Sequence, residues 1–216
     1  MTGVQTCALP IFFVVAEPTA NEPLTGHKGA LWLRAKATGI TAHGSMPERG
    51  ENAFYKIARG ALALEQFQFE NEPHPLMGQA TLNVGTAKAG ININSVPDSA
   101  EMTLDIRSIP GQNHQHLMGC LCKLLGPQIR LEPIIDVQGF YTPATNAWIQ
   151  HVYQRCQEIN GVMPQEKTVS FFSDASALKE VIGDPPTVVL GPGQPEMAHQ
   201  TDEFCFVQKK IGRAHV

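Results

Sequence analysis

Residues 99–107, Ser-Ala-Glu-Met-Thr-Leu-Asp-Ile-Arg, alternate between polar and apolar side chains along their whole length. An alternation with a period of two predicts a β-strand that buries one face and leaves the other in solvent. The polar set, which includes Arg107, is expected on the open face of a sheet. This strand decides the fold because the segments on either side of it repeat its pattern.

Three further segments are predicted as strands from their alternating apolar positions: residues 29–37, 79–88 and 129–137. Two segments carry apolar residues at helical spacing instead: residues 52–69 and 117–125. The order of elements from residue 26 to residue 138 is therefore β-α-β-β-α-β. This order predicts a ferredoxin-like domain, in which two helices cover one face of a four-stranded sheet.

The flanking segments, residues 12–25 and 139–209, have a different pattern. They contain two short, continuously apolar runs of the kind found in buried parallel sheets: residues 12–16 and 187–190. They also contain two predicted helices and one predicted short strand: residues 147–160, 174–181 and 168–172. We therefore expect the α/β fold class, with the ferredoxin-like domain of residues 26–138 inserted into a partial α/β domain.

The composition is that of a globular protein, with 43% hydrophobic and 17% charged residues. No apolar run approaches the roughly 20 residues of a membrane helix. The net charge of −4 offers no general attraction for nucleic acid. The five cysteines show neither the number nor the spacing of a disulfide framework. Free thiols are typical of a reducing compartment, so we expect a cytoplasmic protein with no membrane or nucleic-acid partner.

The two ends of the chain are expected to be artefacts of sequencing. Residues 1–11, MTGVQTCALPI, and residues 210–216, KIGRAHV, are what common adapter DNA encodes when it is translated. The biological segment would then be residues 12–209, taken from a longer gene. Without the two ends the chain has 14 basic and 20 acidic residues, which gives a net charge of −6.

Two residues follow the ends of predicted strands in the α/β part. Glu17 follows the first apolar run and His199 follows the last. Ligands of parallel sheets bind beyond the carboxyl ends of the strands, and a carboxylate with an imidazole suits Zn²⁺. Each residue alone is more often structural, so only the pair predicts half of a metal site. By contrast, His114 and His116 diverge at the start of a helix and are predicted to be exposed.

Five motifs in order along the chain resemble those of the zinc-dependent aminoacylase and deacylase family. The motifs are Ala16-Glu17-Pro18-Thr19, Ala42-His43-Gly44-Ser45, Asn94-Ser95-Val96-Pro97-Asp98 with Asp105-x-Arg107, Ser173-Asp174-Ala175, and Gly191-Pro192-Gly193 followed by His199. This family includes acetylornithine deacetylase, succinyl-diaminopimelate desuccinylase and the glutamate carboxypeptidases. The resemblance implies a partial zinc-peptidase-like catalytic domain with an inserted lid and dimerisation domain.

The resemblance also implies roles for single residues. Glu17 and His199 would each bind one of two zinc ions, with cobalt and manganese as alternative metals. His43 would reach the site of a partner subunit and donate a hydrogen bond to the developing oxyanion. The substrate would be contacted by four further residues: Asn94, Arg107, Gly191 and Gly193. Asn94 and Arg107 would together hold its carboxylate.

The function implied is that of a homodimeric metal-dependent hydrolase that removes the acyl group from an N-acyl amino acid. The family's remaining metal ligands and its catalytic glutamate pair would lie before Phe12. We therefore expect this chain neither to bind metal tightly nor to catalyse hydrolysis. Two alternatives stay open: a carboxypeptidase or dipeptidase of the same family, and a ferredoxin-like dimer that binds a ligand without catalysis.

Overall fold

The computed structural model describes residues 10–207, which form two compact units. One unit contains the chain up to Lys28 and again from Gly139 onward, and the other runs from Gly29 to Gln138. The adapter-like ends, residues 1–11 and 210–216, lie outside the described residues, apart from Pro10 and Ile11.

The described residues contain eight strands and four α-helices, besides two single-turn 3-10 helices. The strands are β1 (Phe13–Val15), β2 (Gly26–His27), β3 (Ala30–Thr38), β4 (Thr81–Ala89), β5 (Ser99–Arg107), β6 (Ile129–Val137), β7 (Phe140–Tyr141) and β8 (Thr187–Val189). The helices are α1 (Ala53–Glu65), α2 (His114–Leu125), α3 (Ala147–Asn160) and α4 (Ala175–Val181). These helices are too short or too polar to form a transmembrane span.

The unit of residues 29–138 has a four-stranded antiparallel sheet in the order β4-β5-β3-β6. Its chain order, β3-α1-β4-β5-α2-β6, is the predicted β-α-β-β-α-β arrangement, and the α/β fold class is confirmed. Alternation places the apolar side chains of β3 and β5 on one face, where they pack against α1 and α2. The buried set includes Leu31, Leu33, Met102, Leu104, Ile106, Ile57 and Leu121.

Helix α1 begins and ends for identifiable reasons. Asn52 precedes it, and the Asn52 Oδ1 atom accepts hydrogen bonds from the backbone N–H groups of Phe54 and Tyr55. The helix ends at Glu65, four residues earlier than predicted. Phe67 and Phe69 both pack against the core, and two residues two positions apart on a helix would point in different directions. Leaving the helix lets both rings reach the same core.

We expect the Asn52→Ala substitution to lower the free energy of unfolding of this unit by about 1 kcal/mol, because two backbone N–H groups lose their acceptor. Asn52→Ser is the matched control, since serine also caps helices. Urea titrations that follow Trp32 fluorescence in a Trp148→Phe background would measure both variants. Equal losses for alanine and serine would contradict the capping role.

The other unit is built on a parallel strand pair. Strand β1 pairs with β8 in the register Phe13↔Thr187, Val14↔Val188 and Val15↔Val189. A short antiparallel pair, β2 with β7, packs nearby, and the core contains Val15, Leu24, Phe140, Ala175 and Val189. The parallel pairing places the carboxyl ends of β1 and β8 side by side.

Two sequence predictions are wrong in detail. The predicted strand over residues 168–172 is reduced to a single bridge between Val169 and His27, after which the chain turns toward the His27 side chain. Ser173 contacts that side chain with both its backbone N–H and its hydroxyl.

His114 is buried rather than exposed, because its two ring nitrogens are hydrogen-bonded to Asp136 (2.5 Å) and Ser108 (2.7 Å). His116 is exposed, as predicted.

Candidate functional site

Glu17 lies two residues after the end of β1, and the Gly191–Gly193 loop begins at the same edge of the strand pair. The chain after Glu17 is hydrogen-bonded to that loop. The N–H groups of Thr19 and Asn21 donate to the Gly191 carbonyl (3.2 and 2.8 Å), and Ala20 N–H donates to the Gly193 carbonyl (2.7 Å). These bonds hold the backbone beside Glu17 in one conformation.

Both glycines of the loop are required by this close approach. A Cβ atom on Gly191 would lie 1.8 Å from the carbonyl oxygen of Glu17, and one on Gly193 would lie 2.7 Å from the Pro18 Cβ. Gly191 is itself buried. The structure therefore gives both residues a local packing role, and their contact with a substrate stays a prediction.

Three ionisable groups interact in this region: Glu17, Asp174 and His199. Burial raises the pKa of the Glu17 carboxyl, the negative charge of Asp174 raises it further, and the charge of His199 lowers it. The structure thus brings Glu17 and His199 within electrostatic range of each other. Carboxylates and an imidazole are ligand types that suit a divalent cation such as Zn²⁺, but in the described residues the ligand atoms of these three side chains are not close enough together to hold one ion.

Asp174 is the charged neighbour of Glu17 to which sequence reasoning assigned no role. It stands directly before α4, and its side chain makes no capping bond to that helix. Its position in the Ser173-Asp174-Ala175 motif is the signal that would have pointed to it. His199 has a left-handed backbone (φ 63°), which is uncommon outside glycine, and its N–H donates to Glu203 Oε2 (3.2 Å).

His43 lies in the exposed loop between β3 and α1 of the other unit. Its Nδ1 atom accepts the backbone N–H of Ser45 (3.2 Å) and lies 2.8 Å from the Ser45 hydroxyl. Since Nδ1 is an acceptor, a neutral His43 carries its proton on Nε2. The ring therefore presents a hydrogen-bond donor to its surroundings.

Asn94 lies beside this loop. Its carbonyl accepts the N–H of Gly44 (2.7 Å), and His43 forms a bridge with Ser95. The two loops meet at the end of the sheet where β3 finishes and β5 begins. The structure therefore brings His43 and Asn94 together.

Arg107 lies at the opposite end of β5. It projects from the polar face of the sheet, where it forms a two-point ion pair with Asp105 (2.8 and 3.0 Å) and lies over Trp32 at 5.7 Å. The eight residue steps from Ser99 to Arg107 span roughly 27 Å. Within one chain, Arg107 is therefore not a neighbour of Asn94, and the two do not form a carboxylate-binding pair there.

Comparison with known proteins agrees with this architecture. Residues 25–127 match the M20 peptidase dimerisation domain. The chain carries this domain. It is 29% identical over 209 residues to acetylornithine deacetylase of Proteus mirabilis, which covers 94% of the chain and 53% of the enzyme. It is 30% identical over 221 residues to acetylornithine deacetylase of Edwardsiella ictaluri, covering 94% of the chain and 54% of the enzyme.

Solved structures show the same fold. The M20 family metallo-carboxypeptidase of Sulfolobus solfataricus matches with a TM-score of 0.69 and 15% identity, over 93% of this chain and 59% of that one. Aminopeptidase PepT of Bacillus cereus matches with a TM-score of 0.66 and 18% identity, over 84% and 48% of the two chains. The chain spans about half the length of the curated relatives it matches. The resemblance seen in the five motifs is confirmed for this family of metallopeptidases and deacetylases.

Proposed function

We propose that this M20 chain is part of a metal-dependent amide hydrolase that removes the acyl group from an N-acyl amino acid. Substrates of the acetylornithine or succinyl-diaminopimelate type are the first choice, because acetylornithine deacetylases match 94% of the chain. The single observation that carries the proposal is the electrostatic interaction of Glu17, which follows β1 at the carboxyl edge of the β1–β8 pair, with Asp174 and His199.

In this proposal Glu17 and His199 hold divalent metal ions, two zinc ions in the whole enzyme, with cobalt or manganese as alternatives. Bound divalent ions polarise an amide carbonyl and lower the pKa of a bound water. The loop of Gly191 and Gly193 fixes the position of Glu17 through its backbone hydrogen bonds. Contact of the loop with the substrate is part of the proposal.

His43 serves as the donor to the oxyanion. The support is that the two Ser45 contacts occupy Nδ1, so a neutral His43 carries its proton on Nε2, and that the loop is exposed. Removing one oxyanion donor costs on the order of 10²–10³ in kcat in other hydrolases. A loss of that size is expected for His43→Ala in the whole enzyme.

Arg107 recognises the free carboxylate of the substrate, as a guanidinium does with two parallel hydrogen bonds. Asn94 and His43 lie at the other end of β5, and a substrate as small as an N-acyl amino acid does not span that strand. A site that uses all three residues therefore takes them from two copies of the chain. This requirement supports a homodimer formed through the dimerisation domain.

Two further parts of the proposal concern specificity and location. A carboxypeptidase or dipeptidase activity is the alternative, because Arg107 would serve a peptide carboxylate equally well. A cytoplasmic location is supported by the described cysteines, Cys120, Cys122, Cys156 and Cys205, which are all free thiols.

The 216-residue chain contains no His-x-Asp motif and no adjacent pair of glutamates. We therefore expect the purified chain not to hydrolyse N-acetylornithine. A longer protein that carries this segment together with a His-x-Asp motif and a Glu-Glu pair is expected to hydrolyse it, to lose activity with a chelator and to regain it with Zn²⁺. Dipeptides and N-succinyl-diaminopimelate, assayed in parallel, separate the alternatives.

Mixing two inactive variants of that longer protein tests the two-chain site. His43→Ala and Arg107→Ala dimers, each nearly inactive, should recover activity when their subunits are exchanged, because one site of each mixed dimer has both residues. Mixing two preparations of His43→Ala is the control. No recovery after verified exchange would show that both residues act within one chain.

A further inference from the structure

A cluster of three metal-ligating side chains lies on the unit of residues 29–138. It consists of Glu70, His116 and Cys120, whose ligand atoms all lie within 4.8 Å of one another. His116 and Cys120 are four residues apart on α2 and so lie on the same side of the helix. Glu70 comes from the segment between α1 and β4. The cluster shares no residue with Glu17, Asp174 and His199.

The geometry argues against a nucleophilic cysteine. In a Cys-His-carboxylate triad the imidazole uses one nitrogen for the thiol and the other for the carboxylate. Here both partners lie on the same nitrogen: the distances to His116 Nε2 are 3.2 Å from Glu70 Oε2 and 3.6 Å from Cys120 Sγ. Three donor atoms gathered around one point are what a metal ion requires.

We propose that Glu70, His116 and Cys120 form a binding site for a divalent ion of the zinc type. Thiolate, imidazole and carboxylate are all ligands of Zn²⁺, which is four-coordinate in most protein sites, so a water would complete the shell. Mg²⁺ and Ca²⁺ prefer oxygen ligands only and do not suit this set. The three side chains line a depression of about 380 Å³, which has room for the ion and its water.

The backbone at Glu70 is held in place by the contacts of the residues before and after it. Phe69 packs against the core and contacts Phe67 edge-on at 5.2 Å. Asn71 accepts hydrogen bonds from Gln112 (3.0 Å) and from Gln79 (3.2 Å). The carboxylate therefore needs little backbone ordering to reach the ion.

The start of α2 is fixed as well. Asn113 caps the helix by accepting the N–H of His116 (2.9 Å). The side chains of Glu70 and His116 are 76% and 68% exposed, so an ion can enter from solvent. A bound ion would tie the segment of residues 66–80 to α2.

Cobalt titration of the full 216-residue chain tests the site, because a Co²⁺–thiolate bond gives a charge-transfer absorption that oxygen and nitrogen ligands do not. One equivalent of Co²⁺ should produce the band, and Zn²⁺ should abolish it by displacement. Cys120→Ser and His116→Ala should each remove the band. Cys122→Ser is the matched control, since Cys122 is exposed on the same helix and lies outside the cluster.

A second readout distinguishes loss of the metal site from misfolding of a variant. Zn²⁺ should raise the melting temperature of the parent chain and of Cys122→Ser but not of Cys120→Ser, with far-ultraviolet circular dichroism verifying the fold of each. Absence of a band in the parent chain, or a band that survives Cys120→Ser, would overturn the proposal. The Glu17→Gln variant should retain the band, so the result does not depend on the proposed hydrolase activity.

Discussion

Replacing Gly191 with alanine is expected to unfold the unit that contains β1 and β8 at a clearly lower urea concentration. The added Cβ would lie 1.8 Å from the Glu17 carbonyl oxygen, a backbone atom that cannot rotate away. The loop must then move, and the hydrogen bonds that Thr19 and Asn21 donate to Gly191 are lost or lengthened. Overpacking and two weakened bonds together correspond to a loss of about 3 kcal/mol.

Fluorescence of Trp148 in a Trp32→Phe background would follow this unit alone, because Trp148 lies on α3 and Trp32 on β3. Gly119→Ala, which adds the same methyl group on α2 in the unit of residues 29–138, is the control and should leave the Trp148 midpoint unchanged. A Cβ at Gly119 meets no atom within 4 Å, and alanine is favoured over glycine in a helix. An unchanged urea midpoint for Gly191→Ala would show that the loop and the Glu17 turn are not packed as described.

The same unit is expected to lose stability as the pH falls from 7 to 5, through His27. This side chain is fully buried, and burial lowers the pKa of His27 to about 4. Its Nε2 atom accepts the Ser173 N–H (3.3 Å), and its Nδ1–H donates to the Lys28 carbonyl (2.9 Å), so the folded state holds a neutral ring. Protonation would break the first of these bonds.

The direction in which stability changes with pH follows from the pKa values of His27 in the unfolded and folded states. Unfolded His27 titrates near 6.5 and folded His27 near 4, so below pH 6.5 the unfolded state binds the extra proton. Stability is complete above pH 6.5 and falls as the pH drops toward 4. At pH 5 the loss relative to pH 7 is about 2 kcal/mol, and it approaches about 3 kcal/mol below pH 4.

Urea titrations at pH 7 and pH 5 would measure this loss in the parent chain and in His27→Gln. The variant should be less stable at pH 7 but should lose about 2 kcal/mol less between the two pH values. His151→Gln, which removes an exposed histidine of the same unit, is the control and should leave the pH dependence unchanged. Identical pH dependence in His27→Gln and the parent chain would exclude His27 as its source.

The sequence was sufficient to predict the features that depend on local periodicity. Alternation in residues 99–107 identified β5 and its two faces, and it placed Arg107 on the polar face. The same rule, with helical spacing, predicted the order of six elements in the ferredoxin-like unit. These predictions succeeded because, in a half-buried strand or helix, the polarity of each successive residue depends on whether it lies on the buried or the exposed face.

Features that depend on contacts between distant residues were not predictable in this way. His114 is buried because its ring is hydrogen-bonded to Asp136, 22 residues later in the chain. No residue near His114 in the sequence indicates that partner. The packing of Gly191 against Glu17 joins residues 174 positions apart. The separation of Asn94 from Arg107, by contrast, follows from the predicted strand of residues 99–107, although the resemblance paired the two residues.

The nine residues of β5 act as a fixed spacer within the sheet. Substitutions in the hairpin that holds Asn94 leave the surroundings of Arg107 and Trp32 untouched, and the reverse is equally true. Packing within one subunit therefore does not link the two ends of the sheet. A link between them has to pass through a substrate site shared by two subunits.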